Sequence, residues 1–295
     1  MARIAFIGLG NMGGGMAANL AKAGHDVRAF DLSAEALARA KSAGCLPAES
    51  AAATIEDAEA VITMLPAGRH VEQVYEEAVF GNAAKTALLI DCSTIEVATA
   101  RRLAEAAAAK GLTAVDAPVS GGIGAANAGT LTFMVGGSAA AFERAEVFLA
   151  DMGKAVIHAG GNGAGQAAKI CNNMILGATM IATCEAFVLA RKLGLDPQKF
   201  FDIASVSSGQ SWSMTTYAPV PGVGPETPAD HDYQGGFAAA LMLKDLRLAM
   251  DAAASVDADT PMGAKAAELY QRFVDMGEAG RDFSGIIRML EKGEK

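Results

Sequence analysis

The sequence predicts an α/β domain built on a parallel sheet, followed by an all-α domain, with a long apolar helix joining the two. Three observations carry that prediction. Short apolar runs alternate strictly with alanine-rich helical stretches through the first half. From Gln166 to Leu193 the pattern is helical, with no break except Gly177. Beyond it only helical periodicities follow. Arg3–Ile7, Asp26–Phe30, Ala60–Leu65, Ala87–Asp91 and Leu112–Asp116 read as strands, each short, apolar and closed by a turn or polar residue. Met12–Ala23, Ser33–Ala43, His70–Glu77 and Glu96–Lys110 read as the helices between them. Runs apolar on both faces imply a sheet covered by helices on both sides. Leu131–Val135 and Ala155–His158 continue the strands, with Ala140–Met152 helical between them.

The first domain is expected to span residues 1–162 and the second 163–295, with a connecting helix over about 165–193. Apolar residues surround the axis of that helix, the mark of a buried one. The stretch from Met174 to Ala190 resembles a membrane span in composition, but it carries Glu185, follows Asn172 and Asn173, and falls short of ~20 apolar residues. Asp196–Val206, Phe237–Ser255, Thr260–Asp275 and Phe283–Lys292 read as the remaining helices. Ser207–Gly236 holds four of the nine prolines and reads as a long binding loop or lid.

Composition narrows the function classes. With 295 residues, 52% of them hydrophobic, the chain can bury a large core, and disordered or collagen-like classes are excluded. A net charge of −9 argues against non-specific nucleic-acid binding, which needs surplus Lys and Arg. Cys45, Cys92, Cys171 and Cys184 form no Cys-x-x-Cys pair and are expected to be buried reduced thiols of a cytoplasmic protein. The opening residues run directly into a strand, so no targeting segment is expected.

Gly8-Leu9-Gly10-Asn11-Met12-Gly13 fits Gly-x-Gly-x-x-Gly, with a strand before it and a helix after it. In that context the glycines allow a tight turn, backbone approach to a pyrophosphate and close helix–strand packing. The phosphates would sit at the positive end of the helix. Asp31 closes the second strand, where a carboxylate accepts ribose hydroxyls and repels a 2′-phosphate. The first domain is therefore expected to be of the Rossmann type and to take NAD in preference to NADP.

Catalytic candidates are few. His25, His70, His158 and His231 are scattered without a carboxylate motif, and neither metal-ligand spacing nor a Gly-x-Ser-x-Gly elbow occurs. Lys169 stands alone on the apolar helix, four residues before Asn173 and on the same face. A lysine so placed either snorkels to solvent or reaches a cleft, where desolvation favours its neutral form for acid–base work. Asp116-Ala117-Pro118-Val119-Ser120-Gly121-Gly122 follows a strand end and offers a hydroxyl and backbone N–H groups to a carboxylate, although such a turn is commonly only a turn. Leu65-Pro66 and Asp91-Cys92-Ser93-Thr94 also lie at strand ends and could edge the cofactor. Lys244-Asp245, in a Leu- and Met-rich helix, reads most simply as a surface ion pair.

Together with Gly163-x-Gly165-x-x-x-Lys169-x-x-Asn172-Asn173, these ordered motifs resemble the β-hydroxyacid dehydrogenase family over almost the whole chain. The resemblance implies hydride transfer between NAD and a small hydroxy acid, with 3-hydroxyisobutyrate the expected substrate and methylmalonate semialdehyde the product. It implies Lys169 as the catalytic acid or base, and Ser120, Gly121, Gly122, Asn173, Thr94 and Trp212 as substrate-binding residues. The cofactor set becomes Gly8, Leu9, Gly10, Asn11, Met12, Gly13, Asp31, Leu65, Pro66, Thr94, Phe237 and Lys244. Trp212, Tyr217 and Phe237 are expected in the pocket wall. A homodimer or homotetramer is implied, with no metal, nucleic acid or membrane. Gly15 departs from the family, in which proline is frequent. Reduction of tartronate semialdehyde, glyoxylate or succinic semialdehyde, and a non-catalytic NAD-binding sensor, are the alternatives.

Overall fold

The structure, a computed structural model, describes residues 1–293 and divides into two compact units, Met1–Lys169 and a second that begins at Ile170. In the first, β1 (Arg3–Ile7), β2 (Asp26–Phe30), β3 (Leu46–Pro47), β4 (Ala60–Thr63), β5 (Leu88–Asp91) and β6 (Thr113–Asp116) pair in the parallel order β3-β2-β1-β4-β5-β6. The order reverses between β1 and β4, the switch point where open α/β sheets bind ligands. The helices are α1 (Gly13–Lys22), α2 (Ala34–Ser42), α3 (Ala51–Ile55), α4 (Gly68–Val74), which runs on through a π turn into α5 (Phe80–Asn82), and α6 (Val97–Ala109).

Period-2 alternation explains why both sheet faces are apolar. Ile4 and Phe6 of β1 join one core with Leu20, Val27 and Ile90, whereas Ala5 and Ile7 join the opposite one with Val71, Tyr75 and Leu103. Each large aliphatic or aromatic side chain so buried contributes about 1.5–3 kcal/mol.

Beyond the six parallel strands the sheet adds antiparallel pairs. Past β6 come β7 (Val119–Ser120), α7 (Gly122–Ala128), β8 (Leu131–Gly136), α8 (Ala139–Leu149) and β9 (Gly153–Gly160). β8 runs antiparallel to β6 and β7, and β9 then pairs parallel to β8. Only α7, a seven-residue helix closed by left-handed Gly129, lies between β7 and β8, too short a connection for a parallel crossover, so the chain returns antiparallel.

α9 (Ala164–Lys192) runs from the first unit into the second. Its apolar residues do surround the axis, yet it is not covered all round: Cys171, Ile175 and Leu189 are exposed, against buried Ile170, Asn173, Met180, Cys184 and Phe187. Cys171 is thus not a buried thiol, because it lies on the open face of this helix; Cys45, Cys92 and Cys184 are buried. The second unit continues with α10 (Pro197–Ala204), α11 (Trp212–Thr215), α12 (Ala239–Ser255), α13 (Pro261–Phe273) and α14 (Ile287–Lys292), around a core that includes Phe187, Met242, Leu246, Tyr270 and Phe283. The long loop is anchored by two short helical turns, Trp212–Thr215 and Pro228–His231.

Candidate active site

Because β1, β2, β4, β5 and β6 are parallel, their carboxyl ends share one edge of the sheet. That edge collects Gly8–Gly13 after β1, Asp31 after β2, Leu65 and Pro66 after β4, Thr94 after β5, and the Ser120–Gly122 segment beyond β6.

The glycine turn has room where a dinucleotide needs it and none elsewhere. A Cβ on Gly8, whose φ is +99°, would stand 2.3 Å from Met64 O, and one on Gly13 would stand 1.9 Å from Gly8 O. A Cβ on Gly10 would meet nothing within 4 Å. The open side at Gly10, set at the positive amino end of α1, is suited to a pyrophosphate. Asp31 is held ready beside it: Leu9 N–H donates to Oδ2 at 2.6 Å and Ser33 N–H to Oδ1 at 2.8 Å. No arginine replaces it as a phosphate partner in β2, since Arg28 reaches instead toward Glu56 at 4.0 Å. These residues fit NAD.

Lys169 is brought to the same edge by the start of α9. The Asp116 carboxylate at the end of β6 accepts the N–H groups of Gly163 at 2.6 Å and Gln166 at 2.9 Å. A carboxylate at a helix amino end is favoured by the helix dipole as well as by these bonds. Burial pushes the Asp116 carboxyl above its ordinary value, and the amide bonds from Gly163, Gln166 and Gly165 oppose that rise. Gly165 makes the approach possible, because a Cβ there would lie 2.3 Å from Met134 O. Lys169 follows Gln166 by three residues, about 4.5 Å along the axis, and is 8% exposed. It does not snorkel outward.

A second buried network orders the loops. Ser93 Oγ donates to Asp91 Oδ1 at 2.6 Å and accepts Leu65 N–H at 2.8 Å. Thr63 Oγ1 donates to the same Asp91 oxygen at 2.8 Å. The other oxygen of Asp91 has no hydrogen-bond partner. Burial raises the Asp91 carboxyl to about 6, the bonds from Ser93 and Thr63 lower it, and the nearby Asp116 charge adds to the rise.

Ser120 sits in β7 opposite Thr132, and Gly121, at φ +134°, leads into α7, which begins at Gly122. The expected turn is therefore a strand-to-helix junction. His25 does meet a carboxylate, Asp151 at 2.9 Å, but it precedes β2 and so belongs to the opposite edge of the sheet. His231 pairs with Glu226 on the loop.

The second unit holds the other candidates. Asn173 is 1% exposed and its Nδ2 donates to Asp245 Oδ2 at 2.6 Å. Lys244-Asp245 is thus not a surface pair: Asp245 is 3% exposed, with its Oδ1 3.4 Å from Lys244 Nζ. The signal was present in α12, where Met242, Asp245, Leu246 and Ala249 share the buried stripe. Trp212 stacks on Tyr217, with ring centroids 4.8 Å apart, while Tyr217 and Phe237 both pack on Phe283. Asp282, which sequence reasoning missed, accepts from Tyr217 Oη at 2.9 Å and Phe237 N–H at 2.7 Å and so fixes the expected aromatic wall. Among the described residues no cluster of His, Cys, Asp or Glu could hold a metal.

Two family models match nearly end to end. Residues 3–161 match the NAD binding domain of 6-phosphogluconate dehydrogenase, and residues 163–290 match the model described as NAD-binding of NADP-dependent 3-hydroxyisobutyrate dehydrogenase. The chain is 52% identical to a 3-hydroxyisobutyrate dehydrogenase of Pseudomonas aeruginosa, over 98% of both chains. It is 46% identical to an NAD-dependent L-serine dehydrogenase of the same species, over 99% of this chain and 98% of that one. The solved 3-hydroxyisobutyrate dehydrogenase of Mycobacterium tuberculosis, described with L-serine, superposes with a TM-score of 0.94 at 47% identity, covering 98% of this chain and 99% of that one. With the glycine cradle, Asp31 and the buried Lys169 already in view, these matches make the chain an NAD-binding oxidoreductase of the β-hydroxyacid dehydrogenase family, akin to its 3-hydroxyisobutyrate dehydrogenases.

Proposed function

We propose that the protein oxidises 3-hydroxyisobutyrate to methylmalonate semialdehyde, with Lys169 as the general acid–base. The observation that carries this reading is a buried lysine whose helix is tied by Asp116 to the same sheet edge as the glycine cradle. In this reading Gly10, Asn11 and Met12 hold the pyrophosphate, Gly8, Leu9 and Gly13 shape the turn, and Asp31 binds the adenine ribose. Leu65, Pro66, Thr94, Phe237 and Lys244 complete the cofactor contacts. NAD, when bound, accepts the hydride. Ser120 and the Gly121–Gly122 backbone hold the substrate carboxylate, with Asn173, Thr94 and Trp212 as further substrate contacts. Neutral Lys169 removes the hydroxyl proton at Nζ as the C–H bond breaks, and protonated Lys169 returns it in the reverse direction. Such help is worth ~10²–10⁴ in rate. Asp245 orients Asn173 through the 2.6 Å bond.

A second substrate is favoured by a specific observation: a 46%-identical relative is an L-serine dehydrogenase. Serine and 3-hydroxyisobutyrate share a hydroxymethyl group and a carboxylate and differ in an ammonium against a methyl. The aromatic group of Trp212, Tyr217 and Phe237 favours the methyl. Asp31, with Arg28 of β2 reaching toward Glu56 instead, favours NAD over NADP, since a carboxylate facing a 2′-phosphate costs several kcal/mol. A homo-oligomer is part of the reading, supported by Ile175 and Leu189 on the open face of α9, 61% and 59% exposed. A cytoplasmic setting accords with three buried cysteine thiols and no disulfide among the described residues.

The test is a panel of hydroxy acids with each cofactor, followed by NADH or NADPH absorbance. The expected result is a kcat/KM for 3-hydroxyisobutyrate with NAD about tenfold or more above that for L-serine. A preference for L-serine, or for NADP, would overturn the corresponding part.

A further inference from the structure

The side chain of Gln166 stands outside every role assigned so far, yet it is fully buried and uses both polar atoms of its amide. Its backbone N–H donates to Asp116 Oδ2 at 2.9 Å. Its side-chain Oε1 accepts Ile95 N–H at 3.1 Å, and its Nε2 donates to Ser93 O at 2.8 Å. The two side-chain bonds fall on either side of Thr94. Ser93 in turn holds Leu65 N–H through its hydroxyl. One side chain therefore ties two loops that carry candidate cofactor contacts to the helical turn just before Lys169.

We propose that Gln166 is a positioning residue: its buried amide keeps the Ser93–Ile95 loop, with Thr94 at its centre, in register with the turn that presents Lys169. This rests on the reading of Lys169 as the acid–base. The chemistry demands an amide. A neighbouring donor and a neighbouring acceptor must be satisfied together, which glutamine does and neither leucine nor ionised glutamate can. A loop slipped by about 1 Å at a reacting centre lowers turnover ~10²-fold, whereas the phosphate cradle at Gly10–Met12 and the ribose site at Asp31 lie on other elements.

The test compares Gln166→Leu, Gln166→Glu and Leu20→Ala, the last a core truncation in the same unit that serves as a stability control. Measured for each are kcat, KM for the hydroxy acid, NADH affinity by fluorescence, melting temperature, and hydrogen exchange of the Ile95 amide. For Gln166→Leu, kcat should fall ~10–100-fold with KM held within about threefold, and the Ile95 amide should lose protection. Leu20→Ala, with a similar loss of melting temperature, should keep kcat near that of the parent. Should Gln166→Leu fail to fold, Gln166→Glu decides: it keeps the acceptor for Ile95 but sets an oxygen against Ser93 O. Its aldehyde reduction should be impaired at neutral pH and recover as the carboxyl is protonated at acid pH. An unchanged kcat in either Gln166 variant, or an equal loss in Leu20→Ala, would overturn the proposal. If the parent protein oxidised no hydroxy acid, the functional reading would fail on its own; Ile95 exchange and NADH affinity would then decide the role of Gln166. Loss of Ile95 protection in Gln166→Leu, with NADH affinity held within about threefold, would sustain the tie, and unchanged Ile95 exchange or a larger loss of NADH affinity would refute it.

Discussion

Replacing Asp91 with asparagine separates the effect of a buried charge from that of the hydrogen bonds its carboxyl accepts. Oδ1 takes Thr63 Oγ1, Ser93 Oγ and Ser93 N–H, all of which an asparagine oxygen can keep, while Oδ2 has no partner. Burial raises the carboxyl from 3.8 to about 6. The sign follows from linkage. Below 3.8 the group is protonated in both folded and unfolded chains and has no effect. Between 3.8 and about 6 the unfolded chain ionises first, so stability falls with rising pH by about 1.4 kcal/mol per pH unit. Above about 6 the loss is constant, at about 3 kcal/mol. Asparagine has no such titration. Its new N–H₂ group, placed where Oδ2 lacked a partner, costs about 1–3 kcal/mol at every pH. The difference in stability between Asp91→Asn and the parent should therefore shift by about 3 kcal/mol in favour of the variant from pH 3.5 to 7, or ~6–12 °C in melting temperature. Calorimetry or far-ultraviolet circular dichroism is the assay, since the single tryptophan, Trp212, lies in the second unit and does not report on the first. A difference that stays flat across that range would refute the assigned environment of Asp91.

Asp31→Ala should raise the KM for NAD about tenfold and narrow the gap to NADP, because a charge-assisted ribose contact is worth about 1.5–3 kcal/mol; steady-state kinetics with both cofactors checks this. Asp245→Ala removes the acceptor of Asn173 and should lower kcat/KM about tenfold or more, at about 1.5–3 kcal/mol for a bond to a charged group, with NADH affinity unchanged in fluorescence titration. Gly165→Ala sets a Cβ 2.3 Å from Met134 O. It should push the start of α9 off β6, lowering the melting temperature and turnover together, by about 1–3 kcal/mol in stability.

The parts legible in the sequence were those with local signals. β1 and β2 end where Gly8 and Asp31 break their apolar runs, so both were bounded correctly, and the glycine turn and Asp31 were found with them. Ser33 reads as the start of the second helix because it caps it, its hydroxyl accepting Ala36 N–H. What escaped was long-range. Nothing in the pattern around Leu131–Val135 encodes the direction of a strand, and β7 is too short for any periodicity. Gln166 meets Ser93 across 73 positions, and Asn173 meets Asp245 across 72, so neither pairing has a trace in local spacing. Asp245 looks exposed beside its adjacent lysine, and only its place on the Met242–Leu246–Ala249 stripe marks it as buried. The open face of α9, with Cys171 and Ile175, was hidden because its residues are apolar like those of the buried face.

The central claim is that the nitrogen of Lys169 moves the proton. Lys169→Ala, assayed for NADH formation from NAD and 3-hydroxyisobutyrate alongside NADH binding, tests it most directly. Turnover should drop at least ~100-fold while the dissociation constant for NADH stays within about threefold. A variant that turns over at near the parental rate would contradict the account.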